Sequence, residues 1–435
     1  MTWAARFRIR EYLRESLWVV PCLGVVIGLL GSIAVAAIDT HVKVPPRWQY
    51  SPSTASTVLS AIAGAGAALT GFVVTVTVLV VQMATGTFSA RYMRLWYRDP
   101  VLKGVLALLI GTLAFAFALL RRIGEKFVPD IGVTTAELLL IVGLVMFVLF
   151  FNRFVHRLRP VAVAALLAQG VHESLGGDIS GTRGVRDTFA GPLTGMDEPP
   201  GLVVRCPHPG AIQAVDLGGV ATWAGTNGCL VAMPHSVGEF AEAGDTLFEV
   251  YGDPGPTDAA ERALSGLVAL GVERTIEQDP AFALRVMVDV ANKALSPAVN
   301  DPTTAVQVLD YLGDSLRVIG QTDLSAPSWN PGAAKHGVVI PIRSWEDFLA
   351  LGVTEIREFG NTSIQVMRRL RAVLDKLRQE VRPEHRAAVT AEIERLDATV
   401  AAAYSGSIDR DRASIADRQG LGGPQRLGPA AAPAD

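Results

Sequence analysis

The run STVLSAIAGAGAALTGFVVTVTVLVVQM, from Ser56 to Met83, carries no charged residue. It is longer than the ~20 residues that cross a ~30 Å hydrocarbon core, so it belongs in a bilayer. Its first half is built from Ser, Ala, Gly and Thr where Leu would give a greasier helix. Steps of three and four residues return to one helix face, and on that face stand Ser60, Gly64, Ala67, Gly71, Thr75, Val78 and Gln82. A small, faintly polar stripe has two readings. One is a packing seam, because small residues at spacings of four let membrane helices approach closely. The other is the lining of a pore, and in an oligomer one helix can do both.

Three further apolar runs accompany it: Leu17 to Ile38, Val101 to Leu120, and Thr134 or so to Val155. The first follows a basic segment with Arg6, Arg8, Arg10 and Arg14, and Ala34-Val35-Ala36 resembles a signal-peptide cleavage site. Its apolar part exceeds the ~7–15 residues of a signal h-region, so a retained helix is expected. Four spans result. Basic residues gather at the N-terminus, between the second and third spans (Arg91, Arg94, Arg98, Lys103) and after the fourth (Arg153, Arg157, Arg159). The other side holds only Lys43, Arg47, Arg121, Arg122 and Lys126, so the positive-inside rule places both termini in the cytoplasm of a bacterial plasma membrane.

The mean hydropathy of +0.33 is high for a soluble chain, and the apolar excess lies before residue 155. A net charge of −3 gives no reason to expect a nucleic-acid partner. Apart from residues near the ends, such as Asp39, Arg121 and Glu137, no Asp, Glu, Lys, Arg or His sits at membrane depth. Proton relays and ion-coupled pumps need such groups, which disfavours a pump. A pore needs none, because backbone, hydroxyls and constrictions can select.

After the spans, Pro160 to Glu173 reads as a helix leaving the membrane, and Gly176 to Pro200 as a Gly, Asp and Pro-rich linker. Leu202–Val204, Ala211–Val215, Cys229–Ala232 and Thr246–Val250 are strand-like runs between turn residues, a small β module over 201–256. PGAIQAVD and GEFAEAGDTLFEV resemble parts of biotinyl and lipoyl carrier domains. Those domains require a lysine on a turn, and none occurs between Lys126 and Lys293, which excludes that function. Cys206, His208, Cys229 and His235 offer metal-ligand chemistry, but a single residue separates Cys206 from His208, unlike the usual paired spacings. No metal or cofactor is expected.

From Asp258 to Gln278 the apolar positions Leu264, Leu267, Val268, Leu270 and Val272 suggest a helix. Asp279 and Asp301 each precede a proline, the pattern of an N-cap with proline at the first helical position. Glu273, Arg274, Glu277, Asp279, Asp289, Asn300 and Asp301 form a candidate polar site, either a ligand or ion centre or a set of caps and ion pairs holding turns. Val338–Ile342 reads as a strand and Ser344 with Asp347 as a helix start. Trp345 to Val381 is an amphipathic helix broken near Gly352 or Gly360, followed by a second antiparallel helix with Val389, Ile393, Leu396 and Val400. Arg368, Arg369, Arg371 and Lys376 read as a solvated basic face, and 405–435 as a disordered tail. The fold class is therefore an α-helical integral membrane domain of four spans (1–160) followed, after the 161–200 exit helix and linker, by an α+β cytosolic domain. That domain comprises the small β module and mainly helical hairpins over 257–404.

The segments FSARYMRLWYRD and ERTIEQDPAFALRVMVDVANKALSPAVNDPTTA together resemble a bacterial family of predicted membrane proteins, domain of unknown function 2254. The resemblance runs from the first span to about Glu380 and implies a membrane block and a cytoplasmic domain, with no substrate or activity. This chain has Ala90 and Ala298-Val299 where other members carry a proline and a Gly-Ile pair. No phosphate loop, nucleophile elbow or zinc-protease helix is present, so no enzymatic activity is expected. Two functions fit: a homo-oligomeric channel or pore with a cytosolic vestibule or gate, and a membrane-anchored sensory or scaffold protein. The expected partners are the bilayer, further copies of the chain, and an ion or small ligand of unspecified identity.

Overall fold

The protein was analysed as a computed structural model that describes residues 1–42, 44–87, 98–125, 127–157, 159–177, 188–190, 199–324 and 336–423. Lys43, Ala90, Arg91, Arg94, Lys126 and most of the Gly176–Pro200 linker lie outside the described residues. The chain divides into two compact units, Arg10–Arg159 and Met1–Ile9 with Pro160–Asp435.

Helix α1 (Trp3–Glu15) passes from one unit into the other. Four helices in the Arg10–Arg159 unit are long and apolar enough to span a bilayer: α2 (Val19–His41), α3 (Pro52–Thr87), α4 (Pro100–Leu120) and α5 (Asp130–Arg157). The most enclosed of them is α4, with Leu102, Val105, Leu109, Phe115, Ala116 and Leu119 all buried. A small-residue seam does exist here, but α2 carries it. Gly24, Gly28, Ser32 and Ala36 are buried at spacings of four. A Cβ built on Gly24 would collide with the backbone carbonyl of Ala107, and one on Gly28 with that of Gly111. Backbone meets backbone, which only glycine permits.

Polar groups at both ends of the bundle find partners within it. The Asp39 carboxylate at the end of α2 accepts from the Ile131 and Gly132 amides at 2.9 and 3.1 Å, capping α5 from a neighbouring helix. The Tyr50 amide donates to Asp130 Oδ1 (2.8 Å) and its hydroxyl to Glu137 Oε2 (3.2 Å). At the opposite end Lys103 Nζ donates to the Leu13 and Arg14 carbonyls, satisfying the open end of α1. Arg98 pairs with Glu11 and Glu15, and Arg153 with Asp99.

In the other unit, α6 (Pro160–Gly177) is more than an exit helix. Val163, Ala164, Leu167 and Val171 are fully buried against the helical half of this unit. Strands β1 (Thr188–Ala190), β2 (Leu202–Arg205), β4 (Leu230–Ala232), β6 (Thr246–Tyr251) and β8 (Gly337–Ile340) form one sheet in the order β1-β8-β4-β6-β2. A second sheet, β5-β3-β7, joins β3 (Gly210–Val215) to β5 (Phe240–Ala241) and β7 (Val268–Gly271). The 201–256 module is therefore not self-contained, since β1, β7 and β8 come from outside it. Val204, Ile212, Val231, Phe248 and Val338 share its core with α7 (Leu217–Asn227) and α8 (Thr257–Ser265). Ala4 packs on Ala214 and Ala269, and its amide donates to the Gly266 carbonyl.

Two expectations are corrected. The helix expected over 258–278 ends at Ser265, and Val268–Gly271 is the strand β7 paired with β3. A short continuous apolar run fits either element, and here the open side of β3 decides. The segment beginning at residue 405 is not disordered as far as Gly423. After α9 (Pro280–Leu295), α10 (Pro302–Gln321), α11 (Trp345–Phe359), α12 (Ile364–Glu380) and α13 (Arg386–Ala403), a short helix α14 (Ser407–Ser414) turns the chain back onto α12. Arg368, only 4% exposed, donates to the carbonyls of Ile415, Gly422 and Gly423. Asp417 accepts from the amides of Gln419, Gly420 and Gly422. These hydrogen bonds also hold the Asp417 carboxyl below its ordinary value, although burial alone would raise it. Arg369 adds bonds to the Asp417 and Arg418 carbonyls. The basic face thus holds the tail, and the apolar poverty that suggested disorder is offset by charge-assisted bonds to backbone.

Arg368→Ala should destabilise this unit by about 3 kcal/mol, because it strips donors from buried carbonyls, and should expose 405–423 to protease before the rest of the unit. Arg371→Ala, which removes half-exposed pairs with Asp375 and Asp397, should cost under about 1 kcal/mol. Thermal unfolding combined with limited proteolysis checks both.

Candidate functional sites

The seven stripe residues lie on the exposed face of α3. Ser60, Gly64, Ala67, Gly71, Thr75, Val78 and Gln82 are exposed, whereas Leu59, Ile62, Ala63, Val73 and Val80 make the buried face. Among the described residues, apart from the helix's own adjoining backbone, no atom lies within 4 Å of a Cβ built on Gly64 or Gly71. The Thr75 hydroxyl bonds back to the Gly71 carbonyl at 2.9 Å, so it needs no outside partner. Outward surfaces elsewhere in the bundle are large and apolar: Leu23, Ile27 and Leu30 on α2, and Leu138, Ile141, Val145 and Leu149 on α5. The first half of α3 departs from that pattern.

The seven polar residues of the second unit do not converge. Glu273, Arg274, Glu277 and Asp279 lie at the N-terminal end of α9, Asp289 midway along it, and Asn300 and Asp301 beyond its C-terminal end, over a helix of ~24 Å at ~1.5 Å per residue. Beyond its C-terminal end, Asn300 adopts φ 47°, the left-handed region that asparagine tolerates. The neighbouring Asp301 caps α10 with both oxygens, Oδ1 accepting from the Thr304 amide (3.0 Å) and Oδ2 from its hydroxyl (2.5 Å). Asp289 pairs with Arg285, which also clasps Glu355 on α11 through two nitrogens. Asn292 donates to the same carboxylate at 2.7 Å. The Arg285 guanidinium holds Glu355 below its ordinary value. This cluster pins α9 to α11; sequence pattern gives no sign of Glu355, because the partner is contributed from a distant helix.

At the N-terminal end of α9 the arrangement differs. Asp279 Oδ1 accepts from the Phe282 amide at 3.1 Å, an ordinary cap. Oδ2 has no hydrogen-bond partner although the residue is only 4% exposed. Burial pushes this carboxyl above its ordinary value, against the opposing influence of the Phe282 amide, Arg274 and Arg343. Asp279 lines a cavity of about 70 Å³ with Met233, Val237, Ile340, Phe348 and Arg343. Gly238, at φ +91°, backs onto it so closely that a Cβ there would collide with Oδ2. Glu273 lies just after β7, where its carbonyl accepts from Gln213 Nε2 at 2.9 Å, and Arg274 and Glu277 sit between β7 and α9. Arg343 and the His235–Val237 loop belong to this site and carry no sequence signature.

The cysteines and histidines do not assemble. Cys206 donates to the His208 carbonyl (3.1 Å) and Cys229 to that of Asp253 (3.2 Å); burial pushes both thiols up, which favours the thiol over the thiolate. His235 faces Glu239 at 3.1 Å. Among the described residues no group of three or more His, Cys, Asp or Glu is placed to hold a metal ion.

The family model described as "Predicted membrane protein (DUF2254)" matches residues 14–376. The chain belongs to this family. Relatives in DUF2254 include the uncharacterized proteins Rv1290c and MT1328 of Mycobacterium tuberculosis strains H37Rv and CDC 1551, and Mb1321c of Mycobacterium bovis. Each is 30% identical over 414 residues, covering 89% of this chain and 77% of the relative. No solved structure matches. DUF2254 membership agrees with a membrane protein whose four apolar helices precede a region of helices and small sheets.

A carboxyl whose value is raised in the folded state binds its proton more tightly there than in the unfolded chain. Its contribution therefore falls as pH rises from the ordinary 3.8 through the raised value. Asp279→Asn keeps a cap acceptor and removes the charge, so the variant should match or exceed wild-type stability at pH 7 and lose that part of the pH dependence. Unfolding transitions measured across this range in both proteins check it.

Proposed function

We propose that this DUF2254 member is a homo-oligomeric channel or pore of the bacterial plasma membrane, with copies meeting along the outward stripe of α3 and the second unit acting as a cytosolic vestibule or gate. The observation that carries the reading is the contrast between two sets of glycines. Gly24 and Gly28 are small because a backbone lies against them, whereas Gly64 and Gly71 meet no neighbouring element among the described residues. A lipid-facing surface gains from large apolar side chains, so a small one implies a close neighbour or water. The spans also lack charge at membrane depth, which a pore tolerates and a proton relay does not.

Orientation belongs to the same proposal. That residues 1–9 and 160–435 belong to one compact unit supports both ends of the four-span block lying on one side. The basic excess on that side supports its being the cytoplasm. The alternative, a membrane-anchored sensor whose spans only hold the second unit at the bilayer, draws on the cavity at Asp279.

Gly64→Leu and Gly71→Leu separate packing from conduction. If the stripe packs, the leucine variants fall apart to smaller species on size exclusion; if it lines a pathway, they remain assembled and their conductance in planar bilayers changes. Gly24→Leu should instead prevent the monomer from folding. Wild type without conductance under any voltage or tension removes the channel reading. Both leucine variants behaving as wild type removes the argument from the stripe.

A further inference from the structure

Asp279 carries more than its capping role requires. One oxygen suffices for an N-cap, and Oδ1 supplies it. At Asp301 the second oxygen is used as well, by the Thr304 hydroxyl. At Asp279 the second oxygen is buried with no donor in good hydrogen-bond geometry among the described residues, although the Ala281 amide also acts on this carboxyl. Arg343 lines the same cavity, half-buried, with no hydrogen-bond or ion-pair partner among the described residues, and Arg274 stands nearby in the same condition. Both act on Asp279 electrostatically without bonding to it. The remaining wall is mainly apolar, with Leu217, Met233, Val237, Ile340, Ile342 and Phe348, and also carries His235, Ser236 and Gln278.

These features restrict what the cavity can hold. A simple cation would meet Arg343, and a simple anion would meet Asp279. A molecule with a donor-rich cation at one point and an anion at another answers both groups. The cavity, about 70 Å³, is small, which favours a small ligand. We propose that this cavity binds a small free α-amino acid of the size of glycine or alanine. Its ammonium group pairs with the Asp279 carboxylate, its carboxylate is held by Arg343, and its side chain or α-carbon lies against Met233 and Phe348. A guanidinium is suited to a carboxylate through parallel N–H donors. The inference does not rest on the channel reading, because binding is measured without conductance.

The test uses full-length protein in detergent, with equilibrium dialysis of radiolabelled L-alanine and glycine beside thermal unfolding. Propionate and ethylamine, each lacking one charge, serve as comparison ligands. The expected result is binding and a raised Tm with the amino acids but not with either comparison ligand. Asp279→Asn and Arg343→Gln, each with a ligand-free transition like that of wild type, should weaken binding by about tenfold or more. If Asp279→Asn fails to fold, Arg343→Gln carries the test. Absence of amino-acid binding overturns the proposal, as does equal binding of propionate or ethylamine, or undiminished binding by Arg343→Gln. An equal response to propionate alone would mark the site as one for simple anions.

Discussion

The contact of the α2 backbone with the α4 backbone at Gly24 and Gly28 fixes how the membrane unit is built. Lipid tails are as apolar as leucine, so helices there associate through close packing rather than exclusion of water. Once α2 and α4 meet without side chains between them, α4 becomes the central helix, and α3 and α5 pack around it. The faces left over then acquire meaning. Those of α2 and α5 are large and apolar, as a lipid boundary requires, and the first half of α3 is not.

The polar groups that remain in this unit sit at its ends and are used there. Asp39 caps α5 from a neighbouring helix, and Lys103 closes the end of α1. In hydrocarbon an unsatisfied helix terminus is expensive, and these pairs satisfy such groups from within the unit. The second unit follows the other logic. Its stability comes from a wet-facing core of two sheets and stacked helices, and its charged residues act mostly as clamps: Arg285 on Glu355, Arg368 on the tail carbonyls, Asp417 on three amides. Asp279 stands apart, because its second oxygen is buried with no clamp to make.

The four spans, the strands over 202–250, the caps at Asp279 and Asp301, and the Ser344–Asp347 capping box were legible because each rests on local chemistry. The break of the 345–381 helix falls at Gly360, one of its two glycines, where a Cβ would meet Val366. What could not be read depends on partners distant in the chain. Val268–Gly271 becomes a strand only because β3 offers an open side, and the tail is ordered only because Arg368 finds it. The α2 seam was overlooked because Gly24, Gly28, Ser32 and Ala36 are diluted by large residues between them. The direction in which the α3 stripe faces is set by the whole bundle. For the candidate polar site, seven residues close in sequence are spread from one end of α9 to the other, with Asp289 midway along it. The group facing Asp279, Arg343, comes from beyond β8.

The central claim is that the small face of α3 meets another copy of the chain in the membrane. Oxidative cross-linking in native membranes tests it most directly, with Gly64→Cys on that face and Leu138→Cys on the lipid-like face of α5, both in a Cys22→Ala background. The account predicts a disulfide-linked dimer for Gly64→Cys and none for Leu138→Cys. Cross-linking confined to Leu138→Cys, or equal at both positions, would contradict it.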